Sequence, residues 1–180
     1  SNTKVGLDLV RLLIATKGAA AGRAELEERI KSASDDFDYR LALAELEASQ
    51  KRPEEAIQVL QKLAATASKP ERVATARTRL AQVYISKGDM AAADSLIAEV
   101  LSKDRRNVLA LQLRAARHIE KGRFDEGISD LREALNEQPK SVDLLLVLAT
   151  AYERSGKSEL AERQYADALK SSNSNQEVVL

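Results

Sequence analysis

At 180 residues, with 28 Lys and Arg balanced by 28 Asp and Glu, the chain carries no net charge at pH 7. That removes the sequence-wide field by which a protein recruits nucleic acid or an anionic membrane surface. The absence of Cys excludes a disulfide framework and a thiolate metal site and fits cytoplasm and periplasm equally, so the compartment stays open. Aromatic residues are 3% of the chain, with no Trp, too few for stacking bases, and no apolar run approaches the ~20 residues of a membrane helix.

Residues 4–16 are predicted to form a helix with Leu9, Val10, Leu13 and Gly6 on one face, ended by Lys17 and Gly18. Gly22, Leu26 and Ile30, spaced four apart, give the stripe of a second helix over 20–32. The next hairpin pairs 36–49, carrying Leu43, Ala44 and Leu46, with 53–66, carrying Ala56, Ile57, Leu60 and Leu63. Pro53 suits a first helical position, where its missing N–H costs no bond. Lys51 stands at the turn, and Glu47 stands where later copies have Tyr.

From Ala74 onward a 34-residue period is strict: Gly88, Gly122 and Gly156 fall at the same step, each suited to the left-handed conformation that ends a helix. Ala81, Ala115 and Ala149 share one small slot, and Ala93, Gly127 and Ala161 another, which lets antiparallel helices approach to about 8–10 Å. Ile97, Leu131 and Tyr165 share a bulky slot, and Leu101, Leu135 and Leu169 close the second helices. Tyr84, His118 and Tyr152 each stand four residues ahead of a glycine. Between Ala56 and Ala93 the step is 37 residues, so the three extra residues near 67–70 should bulge or extend a helix. Asp89 and Ser158 are expected to cap second helices.

The period, the small-large alternation and Pro139 near the end of a copy resemble the tetratricopeptide repeat family, most closely over residues 74–175. The family's Trp is absent, its slot holding Arg77, Leu111 and Leu145, and Arg105 and Asn173 replace its Pro. The resemblance implies an all-α, right-handed superhelical solenoid of antiparallel helix pairs, about five repeats long. The copies fall at about 3–36, 37–73, 74–107, 108–141 and 142–175, with 176–180 reading as the start of another. That opening, together with a start at Ser1 and Asn2 without Met, is read as a piece excised from a longer, bacterial-looking array.

No enzyme signature is present: one His, no Cys, no phosphate-binding glycine loop, no HExxH and no GxSxG. Adjacent acids such as Glu27 and Glu28 point apart on a helix and cannot share a proton. No cofactor or metal is expected, and the chain is read as non-catalytic. Arg114 and His118 lie on one helical face and admit two readings. They contact an anionic group of a ligand, or His118 fills the tyrosine slot while Arg114 pairs with a carboxylate of its own or a neighbouring hairpin.

The family commonly holds an extended peptide or partner helix on its first helices, along the concave side. Mapped by phase, that face carries Asp38, Leu41, Glu45 and Ala48; Thr75, Thr78, Gln82 and Ile85; Leu109, Gln112, Ala116 and Ile119; and Asp143, Leu146, Thr150 and Glu153. Thr78, Gln82, Gln112 and Thr150 are short, neutral and hydrogen-bonding, unlike generic helix surface. Members that grip acidic chaperone tails use Lys, Asn and Arg at these places; none occurs here, and acids at Asp38, Glu45, Asp143 and Glu153 also disfavour RNA. The expected function is a scaffold binding a polypeptide segment of another protein. The alternative is a spacer or regulatory array attached to a catalytic or membrane-anchored part outside these residues.

Overall fold

Ten α-helices make up the computed structural model, which describes the backbone of residues 2–177 and the side chains of residues 3–173, and no strand occurs among the described residues. In order they are α1 Asn2–Lys17, α2 Ala19–Ser32, α3 Phe37–Ser49, α4 Pro53–Thr66, α5 Pro70–Lys87, α6 Met90–Lys103, α7 Val108–Glu120, α8 Phe124–Glu137, α9 Val142–Arg154 and α10 Ser158–Glu177. Contacts divide the chain into two compact units, Ser1–Leu96 and Ile97–Leu180, with the boundary inside α6.

In the first unit α1 packs on α2 and α3 on α4, while α2 also packs on α3 and α4 on α5. Leu26 of α2 and Tyr39 and Leu46 of α3 form one buried cluster with Val10 of α1; Ala44, Ala56, Ile57, Leu60, Leu80 and Val83 form the next. In the second unit α7 packs on α8, α8 on α9 and α9 on α10. Its core holds Leu111, Leu131, Leu144, Leu145 and Leu148 around the fully buried Ala115 and Ala149.

The glycine turns are built alike. The N–H groups of Gly88, Gly122 and Gly156 donate to Ile85, Ile119 and Glu153, and the next N–H reaches back to the carbonyls of Tyr84, His118 and Tyr152 at 2.8–2.9 Å. This is the Schellman arrangement, which needs a left-handed residue at its bend; φ is 88°, 74° and 76° at the three glycines. The turn between α3 and α4 has the same bonds, Lys51 N–H to Ala48 and Arg52 N–H to Glu47, but Lys51 itself takes φ 58°. A side chain in that conformation costs about 1–2 kcal/mol. Lys51→Gly is therefore expected to stabilise the fold by about 1 kcal/mol, seen as a higher urea midpoint at unchanged slope.

The three-residue insertion lengthens a helix instead of bulging. Pro70 starts α5, which has 18 residues where α7 and α9 have 13. The added turn carries Arg72 back to Asp35, where two bonds of 2.9 and 2.6 Å form and the guanidinium lies 4.7 Å from the Phe37 ring centre. The Arg72 partner holds the Asp35 carboxyl below its usual range.

Several local expectations change. Leu9 is exposed, because the packed side of α1 is formed by Gly6 and Val10 with Leu7 and Ile14; bare Gly6 admits the Tyr39 hydroxyl and the Arg29 guanidinium. Asp89 does cap α6, accepting from Ala92 N at 3.1 Å, but Ser158 is already the first residue of α10. Asn107, accepting from Ala110 N, and Ser141, accepting from Leu144 N, cap α7 and α9 in the same way. The boundary drawn after Asn175 is not a helix end: α10 contains neither Gly nor Pro and continues through Glu177. The rest of the expected opening at 176–180, residues 178–180, lies outside the described residues.

Candidate functional site

Two adjacent clefts open on the first helices of the first unit. One, of about 410 Å³, lies between α1 and α3; Leu7, Val10, Ile14, Leu26 and Leu46 make its apolar floor, and Arg11, Asp38, Glu45 and Ser49 its polar rim. The other, of about 230 Å³, lies between α3 and α5 over Ala44, Ala48, Leu60 and Val83, with Glu45, Arg79, Gln82 and Ser86 around it. Three of the expected groove residues, Asp38, Leu41 and Glu45, thus come together at one cleft, and Glu45, Ala48 and Gln82 at the other.

Two arginines that the phase mapping passed over stand at these clefts. The Arg79 guanidinium lies 3.3 Å from Glu45 and donates to the Gln82 side-chain amide oxygen Oε1 at 3.0 Å; Arg11 donates to Asp8 at 2.7 Å. Cations therefore do reach this surface, each tied to a carboxylate, and the rim of the larger cleft keeps one acid in excess. Arg79 was foreseeable: it occupies the position taken by Leu113 in α7 and Val147 in α9, and Val147 is exposed.

Thr78 is a correction. It is 1% exposed, and its hydroxyl donates to Ala74 O at 2.6 Å and contacts Thr75 O at 3.1 Å, so it serves as a self-satisfied core residue. Ile119 is a second correction. It is buried, because α8 has Gly127 in the facing slot; a Cβ there would come within 2.7 Å of Ile119 Cγ1. Thr75 is half-buried and donates to Glu71 O at 2.8 Å; Ile85 is half-buried.

In the second unit α7 keeps Leu109 and Gln112 half-buried and Ala116 exposed, and α9 presents Asp143, Leu146, Thr150 and Glu153, all exposed. The Thr150 hydroxyl donates to Leu146 O at 3.0 Å, leaving its lone pairs open, and Glu153 accepts from the Tyr165 hydroxyl at 3.0 Å.

The anion for Arg114 is internal. Asp130 of α8 is buried and accepts two bonds from the Arg114 fork, at 2.9 and 2.8 Å. His118 fills the tyrosine slot with Nε2 3.8 Å from Asp130, while Nδ1 is buried with no hydrogen-bond partner. Burial, and then the nearby Arg123, push the His118 pKa below its usual value; Asp130 and Glu126 oppose this and Arg114 adds to it. A depressed folded-state pKa means that the unfolded chain binds the proton more readily, so this residue's contribution is full above about pH 6.5 and is lost as pH falls through the folded value. The urea midpoint is expected to fall between about pH 7 and about pH 5 in the natural protein, and to fall less in His118→Tyr.

Two family models, each described as tetratricopeptide repeat, match the chain, one over residues 47–116 and 118–179 and the other over 7–71. The chain belongs to the tetratricopeptide repeat family. No curated protein matches it. Among solved structures it is similar to TTC0263, a thermophilic tetratricopeptide repeat protein of Thermus thermophilus, with 20% identity, TM-score 0.76, and 97% of this chain and 93% of that one covered. It is also similar to MamA from Desulfovibrio magneticus RS-1, at 14% identity and TM-score 0.64 with 95% of each chain covered. A chain of the Cut9–Hcn1 hetero-tetramer of APC/C matches at 14% identity and TM-score 0.73, covering 93% of this chain and 33% of that one.

The fold of this tetratricopeptide repeat chain is thus an all-α helical-repeat solenoid, an architecture of protein-interaction scaffolds that are typically non-catalytic. Among the described residues no helix is long and apolar enough to cross a membrane.

Proposed function

We propose that this tetratricopeptide repeat chain is a non-catalytic scaffold that holds an extended or helical segment of another protein on the faces of its first helices. The observation that carries this reading is the larger cleft of the first unit, whose apolar floor and thin polar rim match what a peptide's anchoring side chain and backbone require. Exposed Leu146 and Val147 on α9 offer further apolar contact. The partner segment is not strongly acidic, since Asp38, Glu45, Asp143 and Glu153 would repel it and the nearby arginines are already engaged. Affinity is modest, because ordering the segment costs about 2–5 kcal/mol of gross contact energy.

The test is selection of displayed random peptides on the full chain, followed by binding to two variants. Glu45→Arg with Thr150→Arg alters first-helix faces, whereas Gln58→Arg with Asn136→Arg alters positions on α4 and α8. Selected peptides are expected to be neutral or basic and to lose binding only in the first pair. Loss confined to the second pair would place binding on the second helices and overturn the reading.

A further inference from the structure

The larger cleft of the first unit has two unlike walls, and the difference between them specifies what fits it. On the α1 side Leu7, Val10 and Ile14 follow one another at three- and four-residue steps and make an apolar wall. Leu7 and Ile14 are half-buried, so that wall is open to the cleft. On the α3 side Asp38 and Glu45, both exposed, stand seven residues apart with Leu41 and Ala42 between them. Seven residues are close to two helical turns, so the two acids share a face at a separation of about 10.5 Å. Both walls lie within one compact unit, and the side of α1 that carries Val5 and Leu12 takes no part in them.

The chain itself does not neutralise these acids. Asp38 makes no ion pair among the described residues; Arg72, which it attracts, is already bound to Asp35. An acid in the first turn of a helix suits the helix dipole, which accounts for Asp38 by itself. Glu45 lies two turns further on, where the dipole gives no reason for it. Arg79 Nε stands 3.3 Å from Glu45 yet makes no hydrogen bond. Arg11, the cation on the same rim, is held by Asp8 at 2.7 Å.

We infer that the segment held on this face is a basic amphipathic helix, with two Lys or Arg about seven residues apart and apolar residues about three and four positions after the first. Laid along the mouth of the cleft, it turns its apolar side chains toward α1 and the floor at Leu26 and Leu46, and its cations toward Asp38 and Glu45. Spacing selects a helix over a strand. Cations seven residues apart on a helix match the roughly 10.5 Å between the acids, whereas same-face residues of an extended segment recur at about 6.6 and about 13 Å. Charge fixes the register and rejects acidic helices, while apolar burial supplies most of the affinity. This occupant rests on the first-helix reading above and narrows its segment from extended or helical to helical, and from not strongly acidic to basic at one spacing.

Displayed peptides selected on the full chain are sorted by whether Glu45→Arg abolishes their binding, then sequenced and followed by circular dichroism. Those that depend on Glu45 are expected to carry the cation pair at that spacing around apolar residues, and to gain helix on binding. A synthetic peptide of this pattern should bind Asp38→Lys with Glu45→Lys at least about tenfold more weakly than the natural chain, and the same peptide with Glu for both cations should reverse the preference. Moving both cations two positions along, at unchanged composition, turns them to another face and should also weaken binding at least about tenfold. Both substituted positions are exposed, and circular dichroism checks folding; Asp38→Asn with Glu45→Gln, for which about a threefold loss is expected, replaces the reversal if needed. Peptides that bind first-helix faces in extended form, without the cation pair, or through Thr150 and not Glu45 would overturn the basic helix and leave the scaffold reading standing. Loss confined to Gln58→Arg with Asn136→Arg would overturn both.

Discussion

Ala149→Leu and Ala161→Leu are each expected to destabilise the second unit by about 1–3 kcal/mol, while Thr150→Leu changes stability by less than about 0.5 kcal/mol. Ala149 and Ala161 are buried and face each other's helices across the α9–α10 pair, whereas Thr150, one residue along, is exposed. The α7–α8 pair shows how little room this slot has: a Cβ on Gly127 would stand 3.0 Å from the backbone oxygen of Ala115. Three added carbons at either alanine must push the helices apart or force a strained rotamer, and interiors packed at crystal-like density accommodate neither cheaply. Where the facing residue is larger, its partner is smaller; Val10 takes the first slot in α1 and Gly22 the second in α2, where a Cβ would meet Ile14 at 2.2 Å. Urea unfolding of the three variants decides the matter, and a ranking that puts Thr150→Leu as the most damaging would mean that the helix phase is wrong.

The second large effect is expected at Asp130. Asp130→Ala removes both bonds to the Arg114 fork and leaves a half-exposed guanidinium over an apolar hairpin. A fully buried pair broken this way costs about 3–5 kcal/mol; Arg114 can turn partly to water, so the expected loss is about 1–3 kcal/mol. Arg114 stands in the slot of Leu80 and Leu148, and Asp130 in that of Leu96. Arg114→Leu with Asp130→Leu therefore introduces the apolar pair that the preceding copy has at Leu80 and Leu96 and is expected to match or exceed the natural stability. The double-mutant cycle should show a coupling of about 1–3 kcal/mol; additive losses would mean that the two side chains act independently.

Most of the fold was legible because a repeat states it several times. Helix spans, the left-handed turns, the two small slots and the three-residue excess near 67–70 depend on local backbone preference and on spacing that recurs every 34 residues, and both are written in the chain; that the excess lengthens α5 was decided by the structure. The tyrosine slot was equally legible, and a carboxylate partner for Arg114 was one of the two readings that its position allowed.

Which carboxylate it takes, and which off-stripe residues meet solvent, was decided by the tertiary structure. Helical phase fixes an angle around one helix, but burial at that angle depends on the helix that lies against it. Thr78 and Ile119 occupy positions assigned to the open face by phase; the first became core by satisfying its own hydroxyl, the second because Gly127 of the facing helix left space for it. Val5 and Tyr39 share one slot and have opposite exposures, since α3 rests on α2 while, among the described residues, no second helix lies against that side of α1.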